Sequence, residues 1–360
     1  MPGGIGNHAY CLAKELSGLG FEVAVLTEQR ERRSGDWLRF VRANKDLTIF
    51  GIRRKAVSAF TYCHRIVKAN RLVRNTAWDA VIFSGKFPLW LNAVLPRTTS
   101  IAVIHGSEIK QKGLFRHLSE YSLKKISRIV CVSGFTRQQL SSQYRSIDPD
   151  DVRVINNGIR NDWAAGDASK GPQGSWLELV TVGGIHRRKG QANVIRALPR
   201  ILKNFPNAKY HIVGLSIEEE QLRKLIRRYE LHDHVVFHRG LYDDGVLDLL
   251  KRSHVFMMLS EHLENGDFEG FGIAAVESMA LGVPAIGSRD SGIADAIQDG
   301  YSGRLVDPKN TEEVAEALRE IVDNYPRYSA NAREFAERSR WKYKVNEYRQ
   351  LIDQLCDERN

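Results

Sequence analysis

The chain has 360 residues, 42% hydrophobic and 27% charged, with a mean hydropathy of −0.35, a profile that excludes disordered, collagen-like and disulfide-scaffold proteins. No apolar run approaches the roughly 18 residues of a membrane span, which predicts that it is not an integral membrane protein, and the length predicts two domains. The net charge of +10 is unevenly held: residues 1–165 carry 26 Lys and Arg against 13 Asp and Glu, while the rest of the chain is slightly acidic, so one half is built to face something anionic, whether phospholipid, a phosphorylated acceptor or nucleic acid.

The opening segment, MPGGIGNHAYCLAKEL, lacks the basic start and apolar core of a signal peptide, which predicts synthesis and residence in the cytoplasm. Its Gly4-x-Gly6-x-x-Ala9 spacing fits the dinucleotide pattern, with Glu28 at the end of the next strand, where an acidic residue would hold a ribose. That pattern requires a strand directly before the first glycine, and the residues ahead of it are only Met1, Pro2 and Gly3. An NAD-dependent oxidoreductase therefore ranks below the reading that the second half supports. What the glycines do supply is room for backbone amides to approach an anion.

Strands are predicted at 21–27, 47–52, 79–85, 100–106 and 128–133, with helices over Ala9–Leu19 and Phe60–Arg74 among them. Residues 152–175 pass from a short strand into a Gly/Ser/Asp-rich stretch without apolar period, so 1–160 reads as a first domain and 161–175 as a linker. A second series follows, with strands at 177–184, 208–214, 234–240, 254–259, 284–288 and 302–306 and helices near 189–203, 218–230, 245–252 and 272–281. It makes a second domain over 176–325, and one charged, aromatic tail helix closes the chain over 326–360. Short β-branched runs alternating with amphipathic helices mean α/β: two Rossmann-like, doubly wound domains facing a cleft. Cys11, Cys63, Cys131 and Cys356 stand far apart with no histidine at ligand spacing, which argues against zinc.

The strongest local signal is GDFEGFGIAAVESMALGVPAIGS, Gly266–Ser288. Glu269 sits in a glycine-punctuated loop, and Glu277 falls in the second turn of the helix that follows. Gly270 and Gly272 clear side chains from the way, so that the amides of Gly270, Phe271, Gly272 and Ile273 face a ligand between two carboxylates. Carboxylates repel phosphate but accept from vicinal hydroxyls, so sugar and ribose suit the two acids and a diphosphate suits the amides. Asp267 and Glu264 read as solubility charges, and Asp243, Asp244 and the Asp148–Asp151 stretch as turn and capping residues.

The whole string resembles retaining glycosyltransferases of the GT-B fold, in particular glycosyltransferase family 4 (glycosyl transferases group 1). The GGIG loop with its helix, VSGFTRQQL (132–140), VINNGI (154–159), VGGIHRRKG (182–190), YHIVG (210–214), GLYDDGVLDLL (240–250) and DGYSGRLVDP (299–308) keep the family's order and spacing. The resemblance implies transfer of a hexose from a UDP- or GDP-linked donor to a hydroxyl of a glycan or lipid-linked acceptor, without a metal or other cofactor. It implies that Glu277 holds the ribose, Glu269 with Phe271 and Gly272 the donor sugar, and Lys189 the diphosphate, with Gly3 and Gly4 approaching that phosphate from the first domain. His105, at the end of SIAVIH, matches the position beside the reacting sugar, though a satisfied core histidine is an equal reading; the backbone near Leu241 would meet the base. The tail helix is expected to cross back to the first domain.

Two departures stand out. Where the family has an arginine after the glycine of VG, this chain has Gly184, and Arg187 or Arg188 is left to replace it. The family's first strand, central in the N-terminal sheet, is missing, which predicts a natural start upstream or a form that folds poorly. The basic first half favours a phosphorylated or lipid-linked acceptor, as in lipopolysaccharide or exopolysaccharide assembly, and peripheral contact with an anionic membrane at its inner face. A sugar-nucleotide epimerase shares the architecture and stays open as the alternative. Without aromatic and basic residues interleaved along the sequence, nucleic acid is not an expected partner.

Overall fold

A computed structural model of the chain describes residues 4–29, 36–53, 58–163, 171, 172, 174, 176–215, 218–241 and 243–359. Contacts divide it into one unit made of the chain up to Cys131 with Gln139–Ile155 and the stretch from Trp341, and another made of Val132–Gln138 and Asn156–Arg340. Most of the 161–175 segment and Gly3 lie outside the described residues. Among those described, no helix is long and apolar enough to cross a membrane.

The first unit runs through α1 (Gly4–Gly18), β1 (Ala24–Gln29), α2 (Asp36–Ala43), β2 (Thr48–Arg53), α3 (Ser58–Asn75), β3 (Val81–Ser84), α4 (Lys86–Leu91), β4 (Ser100–Ile104), α5 (Leu114–Lys124), β5 (Arg128–Cys131), α6 (Gly134–Gln143, shared with the second unit) and β6 (Val152–Val154). Helix α1 forms because His8, Leu12 and Leu16, with Cys11 between, recur on one face and are buried there. Strand β4 is buried along its whole length, which is why the IAVI that follows Ser100 reads as a continuous apolar run rather than an alternation.

All pairings in this unit are parallel, yet they fall into two sheets, β1-β2 and β3-β4-β5-β6. Among the described residues β1 and β3 each keep one unpaired edge. In a doubly wound order, a strand ahead of α1 would stand between them.

The second unit contains β7 (Glu178–Val182), α7 (Gln191–Asn204), β8 (Lys209–Val213), α8 (Glu219–Arg228), β9 (Val235–His238), α9 (Asp243–Arg252), β10 (Val255–Met258), α10 (Ile273–Met279), β11 (Ala285–Ser288), β12 (Gly303–Val306), α11 (Thr311–Asp323) and α12 (Tyr325–Arg338). Its sheet is six parallel strands in the order β12-β11-β10-β7-β8-β9, the doubly wound arrangement, with the order reversing between β7 and β10. Leu179, Val255, Met257, Val194, Leu198 and Leu318 are among the fully buried side chains of its core. Asp243 and Asp244, read as turn and capping residues, stand in the first turn of α9, where their charges complement the positive helix end.

The closing segment is two helices, not the single one expected. Helix α12 ends at Arg338 and α13 (Trp341–Asp357) returns to the first unit. The break has a cause in the second unit: Ile159 donates its amide to Ser339 O at 2.9 Å, and the Arg340 guanidinium donates to the carbonyls of Arg160, Asn161 and Trp163. With these bonds Arg340 forms an isolated parallel bridge with Ile159, which a continuous helix could not supply. In the first unit α13 buries Trp341, Val345, Tyr348 and Ile352, with the Trp341 ring 5.0 Å from that of His8.

Candidate active site

In the second unit β7 and β10 are neighbours at the reversal of strand order, where open α/β sheets offer a crevice beyond their carboxyl ends. After β7 the chain makes a tight turn over Arg187–Lys189 and enters α7 through Gly190, whose φ is +73°. A Cβ at Gly190 would stand 1.7 Å from the carbonyl oxygen of Leu259, just past β10. Only glycine permits that approach, and it sets Lys189 beside the end of β10.

There Lys189 Nζ lies 2.7 Å from Oε2 of Glu269, and the Arg188 guanidinium pairs with the same oxygen. Arg188 also stands 3.7 Å from Asp267, which joins the charged cluster instead of serving as the solubility charge expected of it. The Glu269 side chain is 10% exposed. Burial, the largest single influence on it, would raise its pKa; Lys189 and Arg188 together outweigh that and hold the carboxyl at about 2. Arg187 is exposed and engages Glu218 through its amide, so of the two candidates to stand in for an arginine at Gly184, Arg188 is the one at the acid. A Cβ at Gly184 would already lie 3.1 Å from the His186 ring.

The loop after Glu269 has its carbonyls tied back. Glu269 O accepts the Gly292 amide at 3.0 Å, and Gly270 O accepts the Thr136 hydroxyl at 3.2 Å. Gly292 packs so tightly that a Cβ would come within 2.2 Å of Gly270 O. The amides of Gly270, Phe271, Gly272 and Ile273 have no protein acceptor among the described residues. With the carbonyls of Glu269 and Gly270 engaged and the four amides not, this segment offers backbone donors, which suits an anion or hydroxyl oxygens.

Glu277 follows in α10, where burial pushes its carboxyl up to about 7, opposed by Arg160 and assisted by Asp243. Its backbone carbonyl accepts the Trp163 indole N–H at 2.9 Å, tying the segment after β6 to this helix. Leu241, 38% exposed, precedes α9 after Gly240, whose φ is +69°.

The first unit holds the other expected residues. Gly4 opens α1. His105 follows β4, with Nε2 3.0 Å from the Ser84 hydroxyl, and its backbone amide and that of Gly106 each donate to Glu108 Oε2 at 2.9 Å. The His8 ring meets that of His105 edge-on at 4.8 Å and is 3.1 Å from the Tyr348 hydroxyl. Burial lowers His105 to about 4 and His8 well below its usual value, so both imidazoles are neutral near pH 7. Sequence reasoning missed Glu108, Thr136 and Trp163. Thr136 lies inside VSGFTRQQL and Trp163 inside the 152–175 stretch, whereas Glu108 stands two residues past the 100–106 strand.

Residues 2–163 match the model of Glycosyltransferase Family 4 and residues 168–340 that of Glycosyl transferases group 1. Among curated proteins, the gpi3 subunit of phosphatidylinositol N-acetylglucosaminyltransferase of Schizosaccharomyces pombe is 23% identical over all of this chain and 79% of that one. A GDP-mannose-dependent alpha-(1-6)-phosphatidylinositol monomannoside mannosyltransferase of Mycobacterium tuberculosis is 29% identical over 71% of this chain and 70% of that one. Among solved structures, Anabaena HepE in complex with UDP and glucose superposes with a TM-score of 0.71 at 17% identity, over 99% of this chain and 96% of that one.

Proposed function

Because the chain is a GT-B glycosyltransferase composed of Glycosyltransferase Family 4 and Glycosyl transferases group 1 domains, we propose that it moves a hexose from a UDP- or GDP-linked donor to a hydroxyl of a glycan or lipid-linked acceptor, with the anomeric configuration retained. The observation that carries this reading is the convergence of Lys189, Arg188 and the uncommitted amides of Gly270–Ile273 around Glu269. A nucleoside-diphosphate sugar presents charge and hydroxyls together, and this cluster offers two cations, four donors and an acid to receive it.

As the bond from the anomeric carbon to the diphosphate oxygen breaks, negative charge grows on the leaving oxygen and positive charge on the sugar, and the acceptor hydroxyl oxygen bonds to that carbon on the same face while its proton passes to the departing diphosphate. Lys189 and Arg188 stabilise the first, and Glu269, drawn off its cations by the arriving diphosphate, accepts from the sugar hydroxyls. Glu277 accepts from the ribose hydroxyls, and no metal is needed to neutralise the leaving group. A lipid-linked acceptor is in keeping with the phosphatidylinositol named for the two relatives and with the basic first half of the chain. Assembly of lipopolysaccharide or another surface polysaccharide at the cytoplasmic face of a membrane is the setting that fits such an acceptor.

A panel of UDP- and GDP-sugars scored by thermal shift and by donor hydrolysis tests the reading, with Lys189→Ala and Glu277→Ala as controls. At least one donor should stabilise the wild type, and both substitutions should weaken the effect. If no donor shifts the wild type and neither substitution changes anything, the reading fails.

A further inference from the structure

Helices α3, α4 and α5 carry aromatic and basic side chains that the transfer chemistry leaves unused. Rings run across all three: Tyr62 stacks on Phe87 at 4.3 Å, Phe87 meets Trp90 at 5.9 Å, and Trp90 stacks on Phe115 at 5.0 Å. Cations lie over this row, Arg65 on Tyr62 and Phe87 and Lys86 on Trp90. The row fixes the three helices side by side, and their outer faces remain apolar: Phe60 is 64% exposed, Val67 66%, Leu114 80% and Phe115 54%. Single exposed apolar residues are ordinary on any surface. Four on neighbouring helices joined by a ring stack form a patch that calls for an occupant.

Charge identifies the occupant. Residues 58–125 hold 11 Lys and Arg against three Asp and Glu, most of the excess of the whole chain. On α3, Phe60, Val67, Arg71 and Arg74 follow one another at helical spacing, so apolar and cationic groups share a stripe. A second copy would meet this basic face with one of the same sign. A nucleic acid would find aromatic rings but no use for the protruding Leu114 and Val67. We propose that the outer faces of α3 and α5 dock on an anionic lipid bilayer, with Phe60, Val67, Leu114 and Phe115 entering the headgroup–acyl boundary and Arg71, Arg74 and Lys112 meeting lipid phosphates. The proposal rests on the membrane setting of the proposed function and names the surface that would meet it, and its test reads vesicle binding, so its failure is distinguishable from a failure of the donor panel.

The full chain is sedimented with vesicles of phosphatidylcholine containing about 30% phosphatidylglycerol, and with phosphatidylcholine alone, at low and high salt. The wild type should bind the anionic vesicles about tenfold more strongly than the neutral ones and lose that advantage in high salt. Leu114→Asp with Lys112→Glu, both exposed and outside the ring row, should cut binding by about tenfold or more, with thermal stability unchanged. Phe60→Asp with Val67→Asp, on the other helix, should do the same, so misfolding of one pair leaves the other as the test. Failure of the wild type to bind anionic vesicles, salt-insensitive binding, or wild-type binding by both paired variants would overturn the proposal. So would a wild-type dimer that these substitutions dissociate, or tighter binding to single-stranded RNA than to the vesicles.

Discussion

Lys189 Nζ stands 2.7 Å from Oε2 of Glu269, and Arg188 holds the same oxygen, so an acid of the cluster neutralises the two cations proposed to meet a diphosphate. Glu269→Gln strips that neutralisation from two cations whose side chains are 13% and 25% exposed, and should lower unfolding free energy by about 3 kcal/mol in urea titrations. Pyrophosphate should then raise the melting temperature of the variant more than that of the wild type, because the anion fills the place of the lost carboxylate. Equal shifts in the two proteins would disprove this role for the pair. Lys189→Ala should slow transfer by about 100-fold, with a smaller effect on donor KM.

Glu277 carries a pH dependence of its own. Its carboxyl is raised by burial to about 7, whereas in the unfolded chain it titrates in the ordinary range. Between those values the folded protein binds more protons, so its contribution to stability falls as pH rises from about 4.5 to 7 and is level above. Glu277→Gln, which stays neutral, should therefore gain stability relative to the wild type across that window. A ribose donates to the ionised form, so nucleotide affinity should rise with pH through 7 and binding should release a proton. Calorimetry in buffers of different ionisation enthalpy measures that proton, and its absence would remove Glu277 from the ribose.

His105 shifts the other way. Burial lowers it to about 4, so between that value and about 6.5 the unfolded chain binds the extra proton, and stability is lost as pH falls across this range. Its imidazole is neutral at working pH, hydrogen-bonded to Ser84. The pH profile of transfer should then show no limb near 6.5 attributable to histidine, and NMR titration of the ring should place its midpoint near 4. A midpoint at the ordinary value would mean that the ring is not buried as described.

Local sequence made the second unit readable because its informative features are local. Val255–Met258 is a continuous apolar run that could only be a buried strand, and Glu269, Gly270, Gly272 and Glu277 lie within nine residues of one another. What escaped depends on partners far along the chain. Thr136 reaches Gly270 and Trp163 reaches Glu277 across more than a hundred residues each, and no local pattern predicts such pairings. The break between α12 and α13 is of the same kind, since residues 336–343 are fit for a helix and only the bonds from Ile159 and Arg340 interrupt it. Arg188 was ambiguous for a third reason: three basic residues in a row cannot reveal which one a tight turn points inward.

The divided sheet of the first unit has a measurable consequence. Strand β4 is paired on both sides and wholly buried, whereas β1 and β3 are each paired on one side only among the described residues. Amide hydrogen exchange should be slowest in β4 and in β10, which is likewise paired on both sides, and at least about tenfold faster in β1 and β3. Protection of β1 equal to that of β4 would show that its open edge is covered.

Gly190→Ala tests the geometry that sets the cations in place. The residue combines a φ of +73° with a Cβ position 1.7 Å from Leu259 O, so the substitution is strained twice, by its own backbone and by a carbonyl that belongs to the end of β10. Relief requires the turn over Arg187–Lys189 to move away from that strand end, carrying Lys189 off Glu269. Stability should fall by about 3 kcal/mol or more, and the anion response should fall with it even in the fraction that stays folded. Gly245→Ala is the fitting control: its Cβ would meet only the Leu241 side chain, at 3.2 Å, which is free to shift. If the two variants melted alike and bound pyrophosphate alike, the close approach at Gly190 would not be what positions Lys189.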